Sequence, residues 1–553
     1  MSFHACACAC LPELHIFMMA GRKTVALAWT LLCALVFGAG VGEVTAGKVL
    51  VFPEDGSHWV NMQVILRELH SRGHELTVVR SVRSWYIQET PELYASINVD
   101  PPQAESFTAE MFEALLQRSL QLRRMTWLRY FIEQQLDLAF TLRLFHTNAL
   151  RMISTILDDG ELTARLRAER FDLMLTDPAF PAGVLLANYL DLPLVYNVRW
   201  LNTGDGHMAL APSPTSFVPM YNSILPARMG LWQRARNLVR YASSMMQERY
   251  VLLPIYDELL ERHFPPGAEL LSMQRRADIW LMRMDFVFDF PRPTMPNIVY
   301  IGGFQCRPPR PLPDQLEAFM QSSGDHGVVM MSMGAMIATL PKDIAEAIAA
   351  ALAELPQKVI WRYTGERPST LGANTLLLDW FPQNDLLGHP KMRAFISHGG
   401  TNGVYEAIYH GVPVVGLPLL FDQFDNLLRL EVRGAGRIVD ATTITTASFK
   451  EALQDVIGDP AYRDNMGTLS RLHRDRLVSP LDTATFWIEF VMRNKGAAHL
   501  RPESWDMPWY TYFGIDVLLL VLSLACLSVL VPVIAIRALW RAVVKKKNKG
   551  KVE

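Results

Sequence analysis

Between Asp379 and Asn426 the sequence gathers residues suited to recognising a base, a sugar and phosphates. The block contains Asp379-Trp380-Phe381-Pro382-Gln383-Asn384-Asp385-Leu386-Leu387 and then Phe395-Ile396-Ser397-His398-Gly399-Gly400-Thr401-Asn402-Gly403. Glu406 follows, and then Phe421-Asp422-Gln423-Phe424-Asp425-Asn426. Ser397-His398-Gly399-Gly400 falls where an apolar strand ends and a helix begins. Glycines there permit tight turns and close approach of a ligand to the backbone. The helix start offers free N–H groups at the positive end of its dipole, which suits a diphosphate. His398 adds a side-chain donor, and Trp380 offers a flat face on which a base can stack. With His at position 398 the block lacks Gly-x-Gly-x-x-Gly, which disfavours a dinucleotide oxidoreductase.

A second constellation lies far upstream. Asp55-Gly56-Ser57-His58-Trp59 follows an apolar strand and opens a helix, so His58 is placed at the C-terminal edge of a parallel sheet, where ligands bind. An imidazole with an ordinary pKa near ~6.5 accepts a proton from a hydroxyl at neutral pH. Asp177, in Leu173-Met174-Leu175-Thr176-Asp177-Pro178, also ends an apolar strand, where an aspartate equally fits the cap of the next helix. Arg283 closes Trp280-Leu281-Met282-Arg283. Its fork matches a carboxylate, and a surface ion pair accounts for it as readily.

The elements that must position these residues alternate. Lys48 to Pro53 reads as a strand, Trp59 to Ser71 as an amphipathic helix and Leu76 to Val79 as a strand. Farther on, Gly327 to Ser332 is a strand and Lys342 to Glu354 an alanine-rich helix. Val359 to Tyr363, Thr375 to Leu378, Ala394 to Ser397 and Val412 to Gly416 continue the pattern. Continuous apolar strands separated by helices imply parallel sheets buried on both faces. Three prolines in Pro291-Arg292-Pro293-Thr294-Met295-Pro296 divide the body. An α/β protein with two Rossmann-like lobes, 47–290 and 297–500, and a cleft between them is expected. No sequence repeat relates the lobes.

Composition and the chain ends set the compartment. The 553 residues are 50% hydrophobic and 20% charged with net charge -2, so a sizeable core is expected and nucleic acid is not an expected partner. Arg22 and Lys23 precede an apolar stretch, Val25 to Phe37, and small residues up to Ala46, which reads as a signal peptide over 1–46. Val517 to Ile536 carries no charge and is long enough to span a bilayer. Trp505, Trp509, Tyr510 and Tyr512 precede it, and Arg537, Arg541 and a lysine run follow. The positive-inside rule makes 537–553 cytosolic and the body lumenal. Cys6, Cys8 and Cys10 alternate, but no histidine pair completes a zinc spacing. Cys306 is the one cysteine between leader and anchor, so no disulfide is expected there, and no glycosylation sequon occurs in the lumenal part.

The long block closely resembles the signature of the UDP-glycosyltransferase family in its vertebrate UDP-glucuronosyltransferase branch, and the resemblance extends over nearly the whole chain. It implies the two-lobed GT-B fold, with the nucleotide sugar in the second lobe. By position, Trp380 stacks on uracil, Gln383 contacts the uridine and Glu406 binds the ribose. Ser332, Gly334, His398, Gly400, Thr401 and Asn402 hold the diphosphate. Asp422 and Gln423 bond the sugar hydroxyls, and Arg283 meets the donor carboxylate. His58 is implied as catalytic base and Asp177 as its partner. Two positions depart from the family pattern: Ala335 stands where most relatives have Ser, and Phe424 where Pro is common. The implied reaction is inverting transfer from UDP-glucuronate, a co-substrate, with no cofactor and no obligatory metal, to a lipophilic acceptor bound between about Ser84 and Pro254. Phe131, Phe140, Phe145, Trp200, Met208, Met220, Met245 and Met246 lie there and serve a core equally well. UDP-glucose or UDP-galactose as donor, and a catalytically silent partner of a related transferase, are the alternatives. Residence in the endoplasmic reticulum membrane is implied, and Lys549 and Lys551 resemble a dilysine retrieval signal. Assembly with itself or with related transferases is left open.

Overall fold

The structure, a computed structural model, describes residues 46–102, 109–199, 211–334, 337, 339–505 and 507–549. The first sheet contains Lys48–Phe52 (β1), Glu75–Ser81 (β2), Ala95–Val99 (β3), Leu173–Thr176 (β4), Leu194–Val198 (β5), Ile279–Met282 (β6) and Ile298–Tyr300 (β7). Its order is β3-β2-β1-β4-β5-β6-β7, and every pair is parallel. The second sheet contains Val328–Ser332 (β8), Lys358–Arg362 (β9), Thr375–Leu378 (β10), Met392–Ser397 (β11), Val414–Gly416 (β12) and Gly436–Ile438 (β13). It runs β10-β9-β8-β11-β12-β13, again all parallel.

Both faces of the first sheet are covered at its centre, which is why β1, β4 and β6 read as apolar runs. Leu50, Met174, Tyr196 and Trp280 pack with residues of the helix Ala182–Leu190 on one side. Val49, Val51, Leu173 and Leu175 pack with Trp59, Met62 and Leu66 of the helix Ser57–Ser71 on the other. The expected strands and helices of both lobes are present. In each sheet the chain order reverses at a central pair, β1 with β4 and β8 with β11, and both pairs open a crevice at their C-terminal ends.

The lobe boundaries differ from the expected ones in two places. Ile298–Tyr300, expected in the second lobe, hydrogen-bonds to β6 as the last strand of the first sheet. The prolines before it rule out a helix or a central strand, not a short strand at the sheet's edge. The helix Pro480–Asn494 also falls within the expected bounds of the second lobe, yet its Ala484, Ile488 and Val491 join the core formed by Val49 and Trp59. Arg72 fastens its start through Asp482 at 2.7 Å. Buried Asp278 accepts from Ala497 N at 2.7 Å and from Arg501 at 2.6 Å just beyond it. An apolar stripe on a helix says that it must be covered and not by which lobe.

The chain closes with a helix, Ile515–Lys549. Its stretch Ile515–Val544 is apolar, long enough to cross a membrane and unburied, and the expected span 517–536 lies inside it. The leader expected over 1–46, except Ala46, and Lys551 lie outside the described residues.

Candidate functional site

The first half of the site is built at the reversal between β1 and β4. Phe52 pairs with Thr176, so the segments leaving the two strands emerge side by side. Gly56, at φ +69°, turns the chain into its helix and sets His58 in the first turn. His58 Nδ1 lies 2.6 Å from Asp177 Oδ2. Asp177 is fully buried, and its other oxygen accepts from Ala179 N at 3.0 Å. The aspartate therefore serves both readings: it ties down the following turn and orients the imidazole. Burial pushes the His58 pKa below its ordinary value against the opposing pull of Asp177, and the cations Arg199 and Arg283 push it the same way as burial. A neutral ring that donates Nδ1–H to Asp177 keeps Nε2 as its proton-accepting nitrogen. Burial, with Asp177 and Asp55 nearby, holds the Glu54 carboxyl well above the usual range.

The second half is built the same way at β8 and β11. Ser332 pairs with Ser397, and each strand is followed by a glycine in the left-handed region, Gly334 at φ +77° and Gly399 at φ +90°. A Cβ on Gly399 would lie 2.6 Å from Leu427 Cγ, so position 399 excludes a side chain on grounds of space as well as backbone. Ser332 Oγ accepts from Gly334 N at 3.3 Å and Ser397 Oγ from Gly399 N at 3.1 Å, which fixes both turns. His398 is bonded to the Ser332 backbone, and burial lowers its pKa to about 4, so the ring is neutral. Its Nδ1 is buried without a partner. Gly400 precedes the helix Thr401–His410, and Thr401 and Asn402 occupy its first turn.

Asp422 and Gln423 are buried and already engaged. Asp422 Oδ2 accepts from Thr401 Oγ1 at 3.0 Å and from Asn426 Nδ2 at 2.9 Å. Gln423 Oε1 accepts from Leu419 N and Leu420 N, each at 2.8 Å. Asp422 Oδ1 and the Gln423 amide nitrogen take part in none of these bonds. Gln383 Nε2 donates to Glu406 at 2.6 Å, and burial pushes the Glu406 carboxyl up to about 7. Trp380 stands 71% exposed, its ring open to stacking.

The halves meet across the cleft. Asn61, on the helix that carries His58, joins its amide to that of Asn402 at 2.8 Å. Turned by half a revolution, the Asn61 amide presents its oxygen to Arg283 Nε at 3.1 Å. Arg283 also reaches Asn402 Oδ1 at 3.4 Å. Arg283 is 2% exposed, its Nη1 has no hydrogen-bond partner, and no ion pair among the described residues includes it. Burial, and then neighbouring Arg199, lower its pKa to about 9. A surface ion pair is thus not what holds this residue. An enclosed guanidinium without a carboxylate can receive an anionic ligand.

With the geometry in view, the comparisons decide the family. The family model described as "UDP-glucoronosyl and UDP-glucosyl transferase" matches residues 47–550. The chain belongs to this family. UDP-glucuronosyltransferase 2C1 of Oryctolagus cuniculus is 41% identical over 505 residues, which cover 90% of this chain and 99% of that protein. UDP-glucuronosyltransferase 1A5 of Rattus norvegicus is 41% identical over 484 residues, covering 86% and 89%. Among solved structures, the glycotransferase of kitacinnamycin superposes with TM-score 0.55 at 18% identity, over 80% of this chain and 98% of that one. A variant of Os79 from O. sativa, solved in complex with UDP, gives TM-score 0.54 at 16% identity, over 80% and 100%. The UDP-glycosyltransferase fold of this chain is GT-B.

Not every expected residue joins the cleft in the same way. Met220 is buried, whereas Phe140 and Met246 are exposed. Phe145 packs edge-on against Phe180 at 5.7 Å. Trp200, Met208 and Ala335 lie outside the described residues. Sequence reasoning missed Arg199 and Asn61. Arg199 directly follows a buried apolar strand, as Asp177 and Arg283 do, and Asn61 lies one helical turn from His58.

Proposed function

We propose that this member of the family transfers glucuronic acid from UDP-glucuronate to hydroxyl groups of small lipophilic acceptors, with inversion at the anomeric carbon. The observation that carries the reading is the His58–Asp177 pair at 2.6 Å, facing the helix start Thr401–Asn402 across one cleft that also encloses Arg283.

The acceptor hydroxyl lies between His58 Nε2 and the anomeric carbon. As its oxygen bonds to that carbon, the C–O bond to UDP breaks on the opposite face, and the hydroxyl proton passes to His58. Asp177 orients the ring and stabilises the imidazolium. Negative charge gathering on UDP meets the N–H groups beyond Gly400, Thr401 and His398. Trp380, Gln383 and Glu406 hold the uridine, Asp422 and Gln423 the sugar hydroxyls, and Ser332 and Gly334 line the phosphates. The C-terminal helix anchors the enzyme in the endoplasmic reticulum membrane with its body in the lumen.

A donor comparison with a phenolic acceptor tests the reading. Turnover is expected with UDP-glucuronate above UDP-glucose and UDP-galactose, and His58→Ala should lose ~10²–10⁴-fold with UDP binding retained. A preference for a neutral sugar would leave the transferase and remove the glucuronosyl assignment. Near-normal turnover of His58→Ala would remove the base.

A further inference from the structure

We propose that Arg199 acts together with Arg283 as a two-guanidinium receptor for the carboxylate of the donor sugar, and so helps to set donor choice. The proposal rests on the glucuronosyl reading above and adds a residue to it.

The sheet places the two arginines side by side. Val198 pairs with Met282 in parallel register, and the next residue on each strand is an arginine. Arg283 N donates to Val198 O at 2.9 Å, which locks that alignment. Neighbouring strands lie about 4.8 Å apart, so the two guanidiniums leave one sheet edge close together. Arg199 Nη1 also donates to Ser57 Oγ, the residue next to His58. The C-terminal edge of β1, β4, β5 and β6 therefore presents His58, Asp177, Arg199 and Arg283 in a row.

This row carries two guanidiniums with unused donors. Arg199 Nε and Arg283 Nη1 are buried without a hydrogen bond. No ion pair among the described residues includes either arginine, although Asp177 and Asp422 act on Arg283 through space. Asp177 holds His58, and Asp422 holds Thr401 and Asn426. Two like charges in one cleft, each with unused donors, need an anion with at least two acceptor oxygens. The diphosphate has its own receptor at the start of the Thr401–His410 helix, in the other lobe. Both arginines belong to the lobe of His58, where the transferred ring must sit, while Arg283 reaches Asn402 at 3.4 Å and Arg199 acts on His398, so the group they bind lies beside the diphosphate. The anion on that ring is its carboxylate.

The test measures kcat/KM for UDP-glucuronate and UDP-glucose with one phenolic acceptor, and UDP inhibition constants. The full-length wild type is compared in membranes with Arg199→Gln, Arg199→Lys, Arg283→Gln and the double variant. Arg199→Gln should lower the glucuronate-to-glucose ratio by about tenfold or more, with UDP inhibition within about twofold of wild type. Arg199→Lys keeps charge without the fork and should fall between. The double variant should lose less than the product of the single losses, because one carboxylate serves both residues. Equal loss with both donors, or weakened UDP inhibition, would each overturn the proposal. If Arg199→Gln does not accumulate, an unchanged ratio in Arg199→Lys overturns it. A wild type without preference for UDP-glucuronate removes the glucuronosyl reading. A preference left intact by Arg199→Gln removes only the role of Arg199.

Discussion

Glu406, which the proposed reading sets against the ribose of UDP, has its charge undecided at neutral pH. Burial pushes its carboxyl up to about 7, and Gln383, donating at 2.6 Å, pulls the other way. A ribose hydroxyl donates more strongly to a carboxylate than to a carboxylic acid. If UDP binds the ionised form, bound ligand and bound proton oppose each other. The sign follows: UDP affinity is full above about pH 7 and weakens as pH falls through that value. The slope approaches tenfold per unit when only the ionised form binds. Titration calorimetry of UDP between pH 8 and 6 should show this loss. Glu406→Gln should bind more weakly at pH 8 and with a flatter profile. Comparing the two profiles cancels the ligand's own titration, and parallel profiles would detach Glu406 from the ribose.

Among the elements, the helix Ala182–Leu190 shows how packing sets catalytic geometry. Its Gly183 lies on the last residues of β1 and β4, where an added Cβ would come within 2.1 Å of Thr176 Oγ1 and 2.9 Å of Phe52 Cβ. Those two residues are the register pair that sends out the His58 and Asp177 segments. Gly183→Ala should therefore separate strand ends and helix. Overpacking of this kind costs about 1–3 kcal/mol. The expected result is a fall in Tm of a few degrees, with kcat reduced more than UDP affinity, since on the proposed reading the nucleotide sits in the other lobe. A kcat unchanged beside a lowered Tm would show that the dyad tolerates the strain. This contact marks the limit of what the sequence discloses. Apolar runs such as Leu173 to Thr176 make strands and their parallel sense legible, because a strand buried on both faces has no polar alternation. The block from Asp379 to Asn426 is legible because residues close in sequence form one pocket. The adjacency of His58 and Asp177, or of Arg199 and Arg283, depends on strand order and register, which no local pattern encodes. The placement of Ile298–Tyr300 and Pro480–Asn494 on the first lobe is hidden for the same reason.

At the scale of the molecule, the connection between the body and the apolar C-terminal helix leaves from the first lobe. The helix Pro480–Asn494 shares that lobe's core. Buried Trp505 then offers its carbonyl to Arg275 Nη1 at 3.2 Å, still on the same lobe. Exposed Trp509, Tyr510, Tyr512 and Phe513 come next, ahead of the helix Ile515–Lys549. The lobe that carries His58, and on our reading the acceptor, is thus the one from which the chain continues into the apolar helix. The last helix has 35 residues, about 50 Å of rise against a hydrocarbon core of about 30 Å. Its length alone does not fix the crossing; its charges do. Asp516 stands at one end of the uncharged run and Arg537 and Arg541 at the other, and on the reading proposed above the core falls on Val517 to Ile536 with the basic end in the cytosol. Protease added to sealed microsomes should then remove only the residues beyond about Ile536, a loss seen with an antibody to the tail. An antibody to the body should detect a nearly full-length product until detergent opens the vesicles. Digestion of the body in sealed vesicles would place both lobes in the cytosol. It would reverse the proposed orientation while leaving the cleft, its dyad and its paired arginines as they are.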